Sequence, residues 1–562
     1  MRKNKKSFRS LNLAGAALAT ALLAACGGGS SDDSASNPPN PAPEPGIGDL
    51  AIAPKNHCTM EGVGATALTT DDDPATGFKA SILEVSQETV DGDVTKEYCL
   101  VKVHVDPEVN IHVAMPSDGT WNGRFRSEGG GMFAGAVSPA TGSVGAGFVG
   151  VTTDTGHQAG PAGMMDGSFA LLPNGQPNVQ AKEDFAYRSL HLMSVVGKQL
   201  TQSYYEQEPV RSYWYGCSTG GRQGLAMAQR YPDDYDAILV GAPAIHMERF
   251  QSYQIWPSVV QKEELGLGNE LGFVKGELAG AKAIAACDAL DGVVDGVIDD
   301  PRLCNYQPSQ DPTLTYAGCN GPDCLTHAEA IAIEKIWAGA KDINGNLLWP
   351  GQEPSSPLFA FTGANPFGMA TEQAKYWVYY DPTWDWKTLT YENYGDFFQK
   401  SIDEVGPVVS TSDPDLSQFK ARGGKLIMWH GWTDFGIQPQ GTIRYYESIQ
   451  QTMGKEATAE FVNLYMAPGV GHCNGGDGPN LFGQAADQES AAEQTAKNNM
   501  FRALMDWSEK GVQPAEIIAT KQAEDQSVTR TRPLCTYPLV ARHTGNGSTD
   551  DAANFTCETP TH

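Results

Sequence analysis

The residues with the clearest capacity for chemistry are Gly216-Cys217-Ser218-Thr219-Gly220. A serine with glycine two positions to either side is the pattern of a nucleophile held on a tight turn, since glycine lets neighbouring backbone approach without a Cβ clash. The pattern also arises by chance, so its setting matters. An apolar run, Ser212–Tyr215, leads in, and a helical run, Gln223–Arg230, leads out and stops at Tyr231-Pro232. Strand, sharp turn and helix in that order bring a serine hydroxyl into the open, where it can attack a carbonyl carbon.

A hydroxyl attacks only when a base takes its proton. Of the 11 histidines, His472 stands in Pro468-Gly469-Val470-Gly471-His472-Cys473, directly after the apolar run Phe461–Met466. His430 is the rival, because it ends the apolar run Lys425–Trp429, but Asp434 follows it by four residues on the same strand-end segment. Chain order decides. Nucleophile, acid, base is the α/β-hydrolase order and selects Ser218, Asp434 and His472. His430 is then a packed histidine or a support for the site, and Asp413 and Asp415, which precede the strand, are weaker acids for the role. Acyl transfer also needs two N–H groups aimed at the developing oxyanion. Thr219, after the nucleophile, supplies one, and the run Trp121-Asn122-Gly123-Arg124-Phe125 leading to Gly129-Gly130-Gly131 is expected to supply the other from Gly129.

The elements that must position these groups read as short buried strands at 100–105, 148–152, 212–215, 237–240, 425–429 and 461–466. Ala181–Leu200 has helical spacing, and the alternation of strands with helices implies a mainly parallel sheet. The pattern breaks over 245–415, a stretch rich in Gly, Pro and Trp. The expected organisation is an α/β-hydrolase core over 48–244 and 416–562, with a lid domain inserted over 245–415 between nucleophile and acid.

Ahead of the core, Arg2, Lys3, Lys5, Lys6 and Arg9 precede an apolar segment, Leu11–Ala25, that is short for a membrane span. It ends at Leu23-Ala24-Ala25-Cys26, which resembles a bacterial lipobox. Residues 1–25 are therefore expected to be a signal peptide and Cys26 the lipidated first mature residue, with Gly27 pointing to the outer membrane. Loss of those five basic residues takes the formal charge from -28 to -33, and a surface this acidic excludes nucleic acid as a partner. Residues 26–47 form a Gly, Ser and Pro tether that holds the enzyme off the membrane. Beyond Cys26, ten cysteines remain, an even number that fits five disulfides in an exported chain. Local spacing suggests Cys287–Cys304, Cys319–Cys324 and Cys535–Cys557. Cys217 precedes the nucleophile and Cys473 follows the base, so a bond between them would tie the two loops together.

These residues resemble the tannase/feruloyl esterase family of α/β-hydrolases, which includes mono(2-hydroxyethyl) terephthalate hydrolase. The resemblance runs from WNGRF and GGG to the chain end, through GCSTGGRQG, GGKLIMWHGWTD, PGVGHCNGG, RTRPLCTYP and DDAANFTC. It implies the pairs Cys58–Cys99 and Cys217–Cys473 beside the three local ones. It also implies a structural Ca²⁺ held by the side chains of Asp288, Asp291 and Asp295 and the carbonyls of Val293 and Val297, an oxygen donor set that suits a hard cation. The expected substrate is a small ester of an aromatic acid: ferulate-type first, gallate or terephthalate half-esters next. The terephthalate enzyme's glutamate after the nucleophile is Thr219 here. The insertion carries many aromatics, among them Trp349, Phe359, Phe361, Trp377, Trp384 and Trp386, a subset of which suits a flat acyl group. The rival reading is a surface binding lipoprotein that has lost catalysis.

Overall fold

The computed structural model describes residues 50–560 apart from 65–67, 69–78, 93 and 485–494. Cys26 and the tether lie outside the described residues. Runs of β-branched and aromatic residues build a nine-stranded sheet: β1 (Ala80–Val90), β2 (Lys96–Val105), β3 (Val109–Pro116), β4 (Arg124–Glu128), β5 (Val149–Thr153), β6 (Arg211–Cys217), β7 (Ala237–Gly241), β8 (Lys425–Gly431) and β9 (Val462–Ala467). Their order is β1-β2-β3-β5-β4-β6-β7-β8-β9. The first three strands are antiparallel to their neighbours, and the six from β5 to β9 run parallel. Parallel strands must be covered on both faces, and the central β7 is apolar throughout, with all five of its residues buried.

Helix α1 (Ser189–Tyr205) and helix α2 (Thr219–Arg230) lie along the chain before and after β6, and helix α3 (Pro439–Met453) follows β8. The expected single helix over 181–200 is instead a turn of α-helix, Val179–Glu183, a π-turn, Asp184–Arg188, and α1. Arg222, fully buried on α2, explains how the π-turn is tolerated: its guanidinium donates to the carbonyls of Phe185 and Ala186 at 3.0 Å each.

Between β7 and β8 the chain alternates helices with irregular segments, with Met247–Tyr253, Trp256–Glu264, Gly272–Cys287, His327–Trp337 and Tyr394–Val409 as its longer helices. These build an apolar cluster around Trp349, Trp377, Tyr394 and Phe397, which continues into Phe133 and Phe185 of the sheet-bearing part. The arrangement agrees with an α/β-hydrolase core interrupted between nucleophile and acid. After helix α4 (Met500–Lys510), two ribbons close the chain, β10 (Glu516–Gln522) with β11 (Val528–Cys535) and β12 (Val540–His543) with β13 (Phe555–Glu558).

Candidate active site

Ser218 follows β6 and caps α2 with φ 62° and ψ −124°. A non-glycine residue in that region costs about 1–3 kcal/mol and persists only where its surroundings hold it. Three backbone bonds hold it: Ser218 N–H donates to the Gly241 carbonyl at 2.9 Å, and the Arg222 and Ala244 N–H groups donate to the Ser218 carbonyl at 3.0 Å each. The turn also needs its glycines: a Cβ on Gly216 would stand 2.6 Å from the Gly220 carbonyl carbon. This is the strained strand-to-helix turn expected from the sequence.

His472 and Asp434 arrive from the loops after β9 and β8. The Ser218 hydroxyl lies 2.9 Å from His472 Nε2, and His472 Nδ1 lies 2.7 Å from Asp434 Oδ2. With Nδ1–H donating to the carboxylate, Nε2 is free to accept the serine proton. Asp434 is fully buried, while 22% of the His472 side chain remains exposed. Burial pushes the Asp434 carboxyl up, but His472 and His430 outweigh it and hold the group well below the usual carboxylate range. For His472, burial disfavours the charged ring, and the charge of Asp434 and the bond to it prevail, leaving the pKa above its ordinary 6.5.

This gives a pH prediction. Nε2 accepts a proton only in the neutral ring, so activity is present above the imidazole pKa and lost as pH falls through it. The acid limb of kcat/KM is therefore expected above pH 6.5. A limb at or below that value in a pH–rate profile would contradict the pairing with Asp434.

Cys217 and Cys473 are bonded, with Cα atoms 5.9 Å apart and a separation of 256 positions in sequence. The other four pairs are also those implied: Cys58–Cys99, Cys287–Cys304, Cys319–Cys324 and Cys535–Cys557.

The expectation for Gly129 does not hold. Its N–H donates to the Tyr215 carbonyl at 2.9 Å, continuing the pairing of β4 with β6, and so cannot face an oxyanion. The Gly130 N–H is spent on Gln223 Oε1 at 2.9 Å. Gly131 and Met132 follow, and among the described residues neither N–H has a bonded partner. They and the Thr219 N–H are the donors left for an oxyanion. Two α2 side chains one turn apart hold this loop: Gln223 through Gly130, and Thr219, whose hydroxyl donates to the Met132 carbonyl at 2.7 Å. Their i, i+4 spacing was visible in the sequence, but nothing in it gave them a partner. Phe435, edge-on to the His472 ring at 5.9 Å and packed against Phe359 of the insertion at 4.6 Å, was likewise not singled out.

The acidic loop sits apart from the triad. Asp288 accepts from the N–H groups of Asp295 and Gly296, Asp291 from Val293, and Asp295 from Val297. Arg532 pairs with Asp295 at 2.6 Å. Asp299, which sequence reading passed over, is buried beside Asp291; burial and then the charge of Asp291 lift the Asp299 carboxyl to about 8, and burial and then the charge of Asp295 lift the Asp291 carboxyl to about 6. Crowded buried carboxyl groups whose ionised forms are disfavoured, with oxygen donors only, are what a divalent cation would stabilise. Among the described residues, however, no three acidic, His or Cys side chains converge into a ligand cage. A recess of about 10 Å³ beside Asp295 and Asp299 is also lined by Pro468, so this loop borders the segment that carries His472.

A mostly parallel sheet, a serine on a strained strand-to-helix turn after β6, and Asp434 and His472 bonded in series to it from the ends of β8 and β9 are the arrangement of a carboxylic ester hydrolase of the α/β-hydrolase fold. The chain belongs to the tannase and feruloyl esterase family, whose family model matches residues 92–558. It is 35% identical over 488 residues to a probable feruloyl esterase of Arthroderma benhamiae, covering 83% of this chain and 86% of that protein. A probable feruloyl esterase B-2 of Aspergillus fumigatus is 31% identical over 504 residues, covering 88% and 91%. Among solved structures, feruloyl esterase B from Aspergillus oryzae superposes with a TM-score of 0.75 at 28% identity, covering 85% of this chain and 97% of that one. Tannin acyl hydrolase from Aspergillus niger also gives 0.75, at 26% identity, covering 90% and 95%.

Proposed function

We propose that this protein hydrolyses esters of aromatic carboxylic acids, hydroxycinnamates such as ferulate first, through an acyl-enzyme on Ser218. The observation that carries the reading is the unbroken chain Ser218–His472–Asp434, at 2.9 and 2.7 Å. His472 takes the serine proton as Oγ attacks the ester carbonyl, and Asp434 stabilises the imidazolium that results. The N–H of Thr219, with that of Gly131 or Met132, takes the oxyanion. His472 then gives the proton to the departing alkoxide, and water attacks the acyl-enzyme by the same base. The family and its named relatives support the ester class. The Phe435 ring beside His472, with Phe359 packed against it, supports a substrate with a flat apolar face.

The test is a panel of methyl ferulate, methyl gallate, mono(2-hydroxyethyl) terephthalate and an aliphatic methyl ester. Ferulate is expected to give the highest kcat/KM. An aliphatic ester exceeding all three aromatic ones would overturn the substrate class. Terephthalate half-esters are the second reading, and Thr219 counts against them, because its hydroxyl is committed to the Met132 carbonyl. A chain that had lost catalysis would leave a fluorophosphonate probe unreacted, whereas stoichiometric labelling is expected.

The proposal includes a structural Ca²⁺ on Asp288, Asp291 and Asp295 with the carbonyls of Val293 and Val297. Its supports are the oxygen-only donor set and the crowding of the buried Asp291 and Asp299 carboxyls, whose ionised forms burial disfavours. Calcium at a hundred times its Kd stabilises by about 2.7 kcal/mol. EDTA is therefore expected to lower the melting temperature, and added Ca²⁺ to restore it. A melting temperature indifferent to both would remove the metal from the proposal.

Export is part of the same reading, supported by five disulfides, which persist only in an oxidising compartment. The lipid anchor on Cys26 and an outer-membrane address are proposed from the lipobox-like segment. Radiolabelled palmitate incorporation that Cys26→Ala abolishes is the expected result.

A further inference from the structure

We infer that His430 is a positioning residue for the reaction, holding the carboxylate of Asp434 turned toward His472 and sharing its charge. The inference rests on the reading of Ser218, His472 and Asp434 as the catalytic set. His430 and Asp434 side chains are both fully buried. His430 Nε2 lies 3.0 Å from Asp434 Oδ2 and 3.1 Å from the Ile437 carbonyl oxygen. Both neighbours only accept, so Nε2 carries a hydrogen. Nδ1 lies 2.8 Å from the Thr442 hydroxyl on α3, which can donate to it. The ring's tautomer follows from this network, with Nε2–H directed at the carboxylate.

Four donors therefore surround Asp434: the Gly436 and Ile437 N–H groups on Oδ1 at 2.7 and 3.0 Å, and His472 and His430 on Oδ2. A carboxylate offers about four lone-pair directions, so this one is saturated. The backbone pair fixes one oxygen. The two imidazoles divide the other, so His430 both blocks rotation of the carboxylate and draws off part of the charge that His472 sees. Among the described residues, no charged group other than Asp434 is bonded to the His430 ring. A rotated Asp434 would leave His472 free to swing from the 2.9 Å contact with Ser218. A carboxylate with one donor fewer would also bind the imidazolium proton more tightly.

His430→Met removes the donor with little change of volume. The hydrogen-bond partners that orient metal-bound histidines are worth about tenfold to a hundredfold in activity, and the same scale is taken for a partner that orients a catalytic carboxylate. The expected result is a kcat lower by that factor, KM nearly unchanged, and the acid limb of kcat/KM moved to higher pH because His472 holds its proton more strongly. His430→Gln, whose amide N–H falls near Nε2, is expected to recover most of kcat and return the limb. A folded His430→Met with parental kcat and limb overturns the inference. So does a loss that His430→Gln fails to restore with the limb unmoved, which would mark a packing role. Should His430→Met not fold, Thr442→Val tests the same relay by freeing Nδ1. It is expected to lower kcat and move the limb in the same direction, and a parental profile would overturn the inference. Fluorophosphonate labelling separates the two levels: no labelling of Ser218 in the parent defeats the catalytic reading, whereas equal labelling rates in parent and His430→Met defeat only the role of His430.

Discussion

Replacement of Ser218 by Ala is expected to lower kcat on methyl ferulate by at least about 10⁴-fold, because loss of the nucleophile leaves only what binding and the oxyanion donors supply. The fold should not change. Ser218 is held by its own backbone bonds to Gly241, Arg222 and Ala244, and none of them uses the side chain. Its φ of 62° adds a second arm to the experiment. Glycine pays no Cβ penalty in that conformation, so Ser218→Gly is expected to be equally inactive and to melt above Ser218→Ala, by about 1 kcal/mol of stability. Progress curves and calorimetry on the two variants check both parts. An alanine variant that still turned over aromatic esters would refute the nucleophile. A glycine variant no more stable than alanine would show that the turn is not strained.

Removal of the Cys217–Cys473 bond is expected to have the second largest effect, on stability and catalysis together. Closing a loop whose ends are 256 positions apart restricts the unfolded chain by about 5 kcal/mol on the chain-entropy model. The bond also joins the residue before the nucleophile to the residue after the base. Cys473 itself adopts φ 65°, a conformation the bridge helps to hold. With both cysteines replaced by alanine, the melting temperature should fall, and kcat should fall about a hundredfold, the scale on which roughly 1 Å of misplacement acts. The comparison to make is with Cys319–Cys324, whose ends are five residues apart and which lies in the insertion. Its removal should cost less stability and leave kcat near the parental value. Equal effects of the two removals on kcat would show that the first bridge does not align the triad.

Much of this protein was determined by local sequence. The apolar runs around 212–215, 237–240 and 425–429 became β6, β7 and β8, because a strand buried on both faces shows as an unbroken apolar stretch. β1 carried no such signal, since its residues alternate between exposed and half-buried at the sheet edge. Ser218, Asp434 and His472 were legible because a turn of glycines, two strand ends and their chain order suffice to name them. The failure at Gly129 shows where that ends. Whether a backbone N–H is free depends on strand register, and it was the pairing of β4 with β6 that consumed this one. His430 was visible as a strand-end residue four before Asp434, yet its bond to the carboxylate needed the direction of two buried side chains and a hydroxyl from α3. Residue type and spacing decide which groups carry chemistry. Only tertiary packing decides which donors and acceptors are already spent, because a hydrogen bond is settled by angles and distances between segments far apart in the chain.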